Sequence, residues 1–124
     1  MFLQSVVPST HEIRTVVVGE EVIAQYARYN LGGLHSLSGG GILLPVGDSR
    51  VGLPKLLANE LGEIALTTKK FTGLDMLALD ALIDANQQPW LLEWNPFFAY
   101  GRTKELGFDI SSRVAGFILS ILSR

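Results

Sequence analysis

The sequence predicts an α+β domain, an antiparallel sheet with helices packed on one face and a functional patch on the other. Three observations carry this expectation. Short β-branched and apolar runs recur between glycine, proline and polar turns, which is the pattern of strands joined by tight connections. Two longer segments instead space their apolar residues at three and four, which is the helical period. And 124 residues, 48% of them hydrophobic, suit one domain around one core, so residues 1–124 are read as a single unit.

The elements follow in order. "FLQSVV" (2–7) is a short strand stopped by Pro8. "IRTVVVG" (13–19) is β-branched and ends at Gly19, and "EVIAQYAR" (21–28) follows at once, so the two read as a hairpin turning at Gly19-Glu20. Residues 30–52 hold most of the glycine clusters and read as a long loop with a short strand at 42–44. Its "SGGG" has no P-loop lysine and no strand-to-helix setting, so a connection is the better reading than a phosphate cradle.

Pro54 opens a helix and Gly73 closes it. Leu57, Leu61, Ile64, Thr68 and Phe71 mark its apolar face, and Gly62 weakens it by roughly 1 kcal/mol relative to alanine. "LDMLALDALI" (74–83) and "PWLLEWN" (89–95) are strands around the turn "DANQQ". Leu, Ala and Met in the first of these favour a helix, but its short length and its turn-bounded neighbour favour a strand. A last helix covers about 110–122. Asp109 is its N-cap, and Ile110, Val114, Phe117, Ile118 and Ile121 form its stripe.

Composition excludes several classes. A net charge of -2 gives no basic footprint for nucleic acid. No cysteine means no disulfide, thiol nucleophile or thiolate metal site, in keeping with a reducing, cytoplasmic setting. "MFLQSVVPSTHE" lacks a basic start followed by an apolar stretch, and no run reaches the ~20 apolar residues of a membrane span.

The chemistry-bearing residues sit in the 74–95 hairpin. With Asp84 facing Pro89, the register brings Asp80 opposite Glu93, and Asn95 points the same way two residues on. Leu79, Ala81, Leu92 and Trp94 then face a core. Opposed carboxylates repel, and a hard divalent cation with oxygen ligands offsets that repulsion well. From spacing alone a second reading stands beside this one, a solvated sheet face with lysines nearby, and a one-residue slip in register would break the patch.

These residues, taken in order, resemble the C-terminal half of an ATP-grasp ligase. The likeness is to the group that adds glutamate to a ribosomal protein and to glutathione synthetase-like enzymes. It rests on "IRTVVVGEEVIA", "GLDMLALDAL", "LLEWNP" and "GFDISSRVAGFI", in that order along nearly the whole chain. It implies that Asp80, Glu93 and Asn95 hold Mg²⁺ (or Mn²⁺) on the phosphates of ATP. It implies that the backbone at Gln4, Ser5 and Val6 meets adenine, that Glu12 contacts the ribose, and that Arg14 lies near the transferred phosphate. The implied reaction joins a carboxylate to an amine through an acyl-phosphate, with no protein nucleophile.

The departures are specific. Ser5 stands where the family usually has an acidic residue. "HSLSGGG" replaces an Arg-Ser-Asn-like segment, and "PFFAYG" replaces Ser-Pro-Gly after the glutamate-x-asparagine strand. The family's N-terminal domain and lysine-bearing small subdomain are expected to be absent, and Lys55, Lys69 and Lys70 are not assigned their role. Two functional classes follow. One is a ligase region acting with a partner chain or as a homo-oligomer, and the other is a non-catalytic ATP-grasp remnant. His11, His35 and Arg28 read as exposed residues and Trp94 as core, while Phe97, Phe98 and Tyr100 either line a pocket or cover exposed core.

Overall fold

The structure is a computed structural model describing residues 11–29, 42–49, 51–84, 86–96 and 106–123. Among these residues the strands are β1 (His11–Val18), β2 (Glu21–Tyr29), β3 (Ile42–Pro45), β4 (Met76–Ile83) and β5 (Pro89–Asn95). The helices are α1 (Lys55–Thr72) and α2 (Ile110–Leu122). The expected strand at 2–7, the glycine cluster at 38–41 and the aromatic loop at 97–100 lie outside the described residues.

The strands form one antiparallel sheet in the order β3-β2-β1-β4-β5, as the α+β reading requires. β1 is central, and its β-branched run suits burial on both faces. β4 is buried on both faces as well. That burial explains why 76–83 is a strand despite its helix-favouring Leu and Ala residues: the pairing with β1 and β5 outweighs a weak local preference.

Alternation along β1 defines two faces. Ile13 and Val17 face α1, where they pack with Ala27, Leu44, Leu61, Ala65, Leu77, Leu79 and Ala81. Val16 faces the other way, with Ala24, Tyr26, Leu43 and Ala78, and meets Ile110 and Val114 of α2. The helices are therefore on opposite faces, whereas the sequence reading put them on one. The hairpin parity decides this. Val18 and Glu21 pair with their side chains on the α2 face, where Glu21 meets Arg113 in an ion pair.

Two further expectations change. In α1 the buried residues are Leu57, Leu61, Gly62 and Ala65, while Phe71 is 92% exposed. The helix is turned toward its small residues. A side chain at Gly62 would stand 3.3 Å from Val22 Cγ2, so glycine lets helix and sheet approach closely. In α2 only Ile110 is buried and Ile118 is exposed, because the helix rests on the sheet by its first turns.

The end signals behave as read. Gly73 adopts φ 74° and donates its N–H to the Lys69 carbonyl. The Asp109 side chain accepts the Ser112 N–H at 3.2 Å. Gly19 turns the first hairpin at φ 63°, and a Cβ there would lie 2.9 Å from the Phe117 ring, so this turn needs glycine twice over.

The rotation of α1 gives a direct contrast. Leu61→Ala should cost about 2–5 kcal/mol, and Phe71→Ala should stay within about 0.5 kcal/mol of the parent. Urea unfolding followed by circular dichroism checks both values.

Candidate functional site

The site is built by four adjacent strands, β2, β1, β4 and β5. β1 pairs Glu12 with Arg28 and Arg14 with Tyr26 on β2, and pairs Arg14 with Asp80 on β4. β4 pairs Asp80 with Glu93 and Ala78 with Asn95 on β5. Directly paired residues share a face, so Glu12, Arg14, Tyr26, Arg28, Asp80, Glu93 and Asn95 line one side of the sheet. It is the side that carries α2, and Tyr26 shares a buried cluster with Ile110 of that helix.

Two irregularities make this alignment. Between Val16 and Val17 the pairing with β2 shifts by one, leaving Ile23 as an extra residue. Between Asp80 and Ala81 the pairing with β5 shifts likewise, leaving Leu92 as the extra residue. Near the turn the register is Ile83 with Pro89 and Leu82 with Trp90, one step from the expected pairing of Asp84 with Pro89. The bulge at Leu92 restores the expected pairing of Asp80 with Glu93. A bulge of this kind re-aims side chains without ending the strand pair.

The turn itself is held by Asp84, whose Oδ1 accepts the N–H groups of Asn86 (2.8 Å) and Gln88 (2.9 Å). Its Oδ2 accepts the Trp90 indole N–H at 2.9 Å. These bonds, the indole bond foremost, hold the Asp84 carboxyl below its ordinary pKa. They also fix the start of β5, the strand that carries Glu93 and Asn95.

At the centre is a buried ion pair. Arg14 Nε donates to Asp80 Oδ1 at 2.8 Å, and Arg14 Nη2 donates to Asp80 Oδ2 at 2.9 Å. Asp80 is 0% exposed, and Arg14 and Glu12 are buried too. Arg28 Nη2 donates to Glu12 Oε2 at 2.6 Å and stands 3.7 Å from Asp80 Oδ2. Burial pulls the Arg14 pKa down, but the bond to Asp80 and its charge win, so Arg14 is held above the usual arginine range. Burial pushes the Tyr26 phenol up, partly opposed by Arg14 and Arg28. Among the described residues two carboxylates and two guanidiniums thus share the patch, and their formal charges cancel.

Glu93 is exposed at the patch margin, and Asn95 is half-buried beside it. Trp94, expected in the core, is 46% exposed, and Leu92 is half-buried. Among the described residues β5 is the sheet edge, and α1 packs chiefly on β1, β2 and β4 rather than on it. Gln4, Ser5 and Val6 lie outside the described residues. Among the described residues no group of three or more His, Cys, Asp or Glu side chains could hold a metal ion. Asp80, Glu93 and Asn95 would offer a cation two carboxylates and one amide. Bidentate pairing with Arg14 leaves Asp80 part of its acceptor capacity, since a carboxylate offers about four lone-pair sites. Such a set fits Mg²⁺, which commonly takes one or two carboxylates and fills its shell with water and substrate oxygens.

Residues 4–118 match the RimK-like ATP-grasp domain. The chain belongs to this family. The ATP-grasp fold is seen again in the crystal structure of the macrocyclase MdnC bound with precursor peptide MdnA, from Microcystis aeruginosa. The similarity has a TM-score of 0.62 and 24% identity over 92% of this chain. That alignment spans 34% of the MdnC chain, so this ATP-grasp region corresponds to about a third of its length. No curated protein matches the sequence. No helix among the described residues is long and apolar enough to cross a membrane.

Arg28 and Tyr26 are the site residues that the sequence did not point to. Arg28 reads there as a solvated strand end. The signal is the hairpin register, but a plain count from the Gly19-Glu20 turn opposes Arg28 to His11 and turns it to the other face. Only the extra residue at Ile23 brings it round to Glu12.

The Asp84 bonds predict a pH signature. A carboxyl whose folded pKa is lowered contributes stability above its unfolded value and loses it as pH falls through the lower folded value. In NMR titrations the Trp90 indole N–H resonance should shift with a midpoint below that of an ordinary aspartate. Asp84→Asn should abolish the transition, and a midpoint at or above 3.8, the ordinary value, counts against the clamp.

Proposed function

We propose that this chain is the C-terminal ATP-grasp region of a carboxylate–amine ligase and that it binds Mg-ATP on the patch just described. The supporting observation is the alignment of Glu12, Arg14, Asp80, Glu93 and Asn95 on one face within an ATP-grasp chain. Asp80, Glu93 and Asn95 are the proposed ligands of Mg²⁺ or Mn²⁺. Gln4, Ser5 and Val6 are the proposed adenine-facing backbone, and Glu12 is the ribose contact.

In this reading an acceptor carboxylate oxygen attacks the γ-phosphorus of ATP and ADP leaves, giving an acyl-phosphate. An amine nitrogen then attacks the acyl carbon, phosphate departs, and the nitrogen loses a proton to leave an amide. Arg14 supplies fixed positive charge near the phosphoryl oxygens, where negative charge builds. Its buried pairing with Asp80 keeps the guanidinium ordered before substrate arrives. The bound cation would supply further charge stabilisation at the phosphates.

A second reading has its own observation. Trp90, Leu91 and Trp94 are exposed along the edge strand β5, a surface suited to another polypeptide. In that reading the region is a non-catalytic module that pairs with a partner chain or a second copy.

Calorimetric titration of ATP with and without Mg²⁺ separates the readings. The wild-type chain should bind ATP in a Mg²⁺-dependent manner, and Glu93→Ala should weaken that binding about tenfold or more. Equal binding by both proteins contradicts the metal assignment, and no ATP binding by the wild type favours the second reading.

A further inference from the structure

We infer that Arg28 is a positioning residue for the nucleoside end of the site, holding the Glu12 carboxylate ready for a vicinal diol. The inference rests on the Mg-ATP reading above and concerns a residue to which that reading gives no role. The geometry is specific. Arg28 comes from β2 directly opposite Glu12 on β1. Its Nη2 lies 2.6 Å from Glu12 Oε2 and 3.7 Å from Asp80 Oδ2, so one nitrogen stands between the two carboxylates. Both the Arg28 and the Glu12 side chains are largely enclosed, at 17% and 7% exposed.

Three consequences follow from that placement. A nearly buried carboxylate needs a countercharge, and with Arg14 engaged by both oxygens of Asp80, Arg28 is the cation paired with Glu12 among the described residues. By binding Oε2, Arg28 leaves Oε1 as an acceptor, the group that recognises neutral hydroxyl donors such as a ribose diol. And because the same nitrogen also stands near Asp80, Arg28 sets the spacing between the nucleoside end and the phosphate end of the patch. Lysine carries its charge on a more flexible stem and holds this placement less well.

The test compares three ligands on the 124-residue chain with Mg²⁺ present: ATP, 2′,3′-dideoxy-ATP and inorganic tripolyphosphate. The wild type should prefer ATP to its dideoxy analogue. Arg28→Gln and Arg28→Lys should each weaken ATP about tenfold, the scale of one hydrogen bond to a charged group. They should bring the two nucleotides to near-equal affinity while leaving tripolyphosphate within about twofold. A purely structural role would lower all three ligands together and keep the preference for ATP, which overturns the inference. So does an unchanged ATP affinity in Arg28→Lys. Should Arg28→Gln fail to fold, Arg28→Lys, which keeps a charge beside Glu12, must show the same lost preference. A wild type that binds no ATP overturns the parent reading and this one with it. A wild type that binds ATP, paired with variants that keep their preference, overturns this one alone.

Discussion

The structure turns on the Arg14–Asp80 pair. A carboxylate with no exposure on the central sheet is tolerable only with a partner charge and its lone pairs engaged. Arg14 meets both conditions by reaching from β1 to the directly paired residue of β4. The pair also fixes the chain, because slipping β4 by one residue would turn Asp80 toward α1 and the apolar core. It answers the repulsion that Asp80 and Glu93 would otherwise exert across the β4–β5 pairing. Part of the offset that the sequence reading assigned to a metal ion is supplied by the protein itself.

The second layer is built on the first. Glu12 and Arg28 sit one strand pair along on the same face, and Arg28 leans toward Asp80. The result is a neutral, enclosed group of charges under a margin formed by exposed Glu93 and half-buried Asn95. A rigid, charge-balanced base with an open acidic rim suits a ligand that brings both polyphosphate and cations. The opposite face is filled by Leu57, Leu61 and Ala65 of α1 against Ile13, Val17, Leu77 and Ala81, and it packs the sheet beneath the site.

Much of this was legible in residue order. The β-branched run at 13–18, the Gly19 turn, the Pro54 and Gly73 limits of α1 and the Asp109 cap all act through local chemistry, and local chemistry survives in a sequence. The pairing of Asp80 with Glu93 was legible as well, although the turn-side register was one step out. What escaped was set by extra residues and by three-dimensional parity. The bulge at Ile23 turns Arg28 toward Glu12, and the bulge at Leu92 restores Glu93 to Asp80; neither residue looks unusual in its neighbourhood. Phe71 and Trp94 were misplaced for a related reason. Apolar spacing says which residues could be buried, but Gly62 and Ala65 chose the face of α1, and the edge position of β5 left Trp94 uncovered.

A double-mutant cycle on the central pair is the most direct measurement. Arg14→Met and Asp80→Asn should each destabilise the fold by about 3–5 kcal/mol in urea unfolding, since each strands a buried partner. The combined variant should lose clearly less than the sum, with a coupling of about 2 kcal/mol or more. Losses that add to within about 0.5 kcal/mol would show that the two residues act independently, and would contradict an arrangement organised around their pairing.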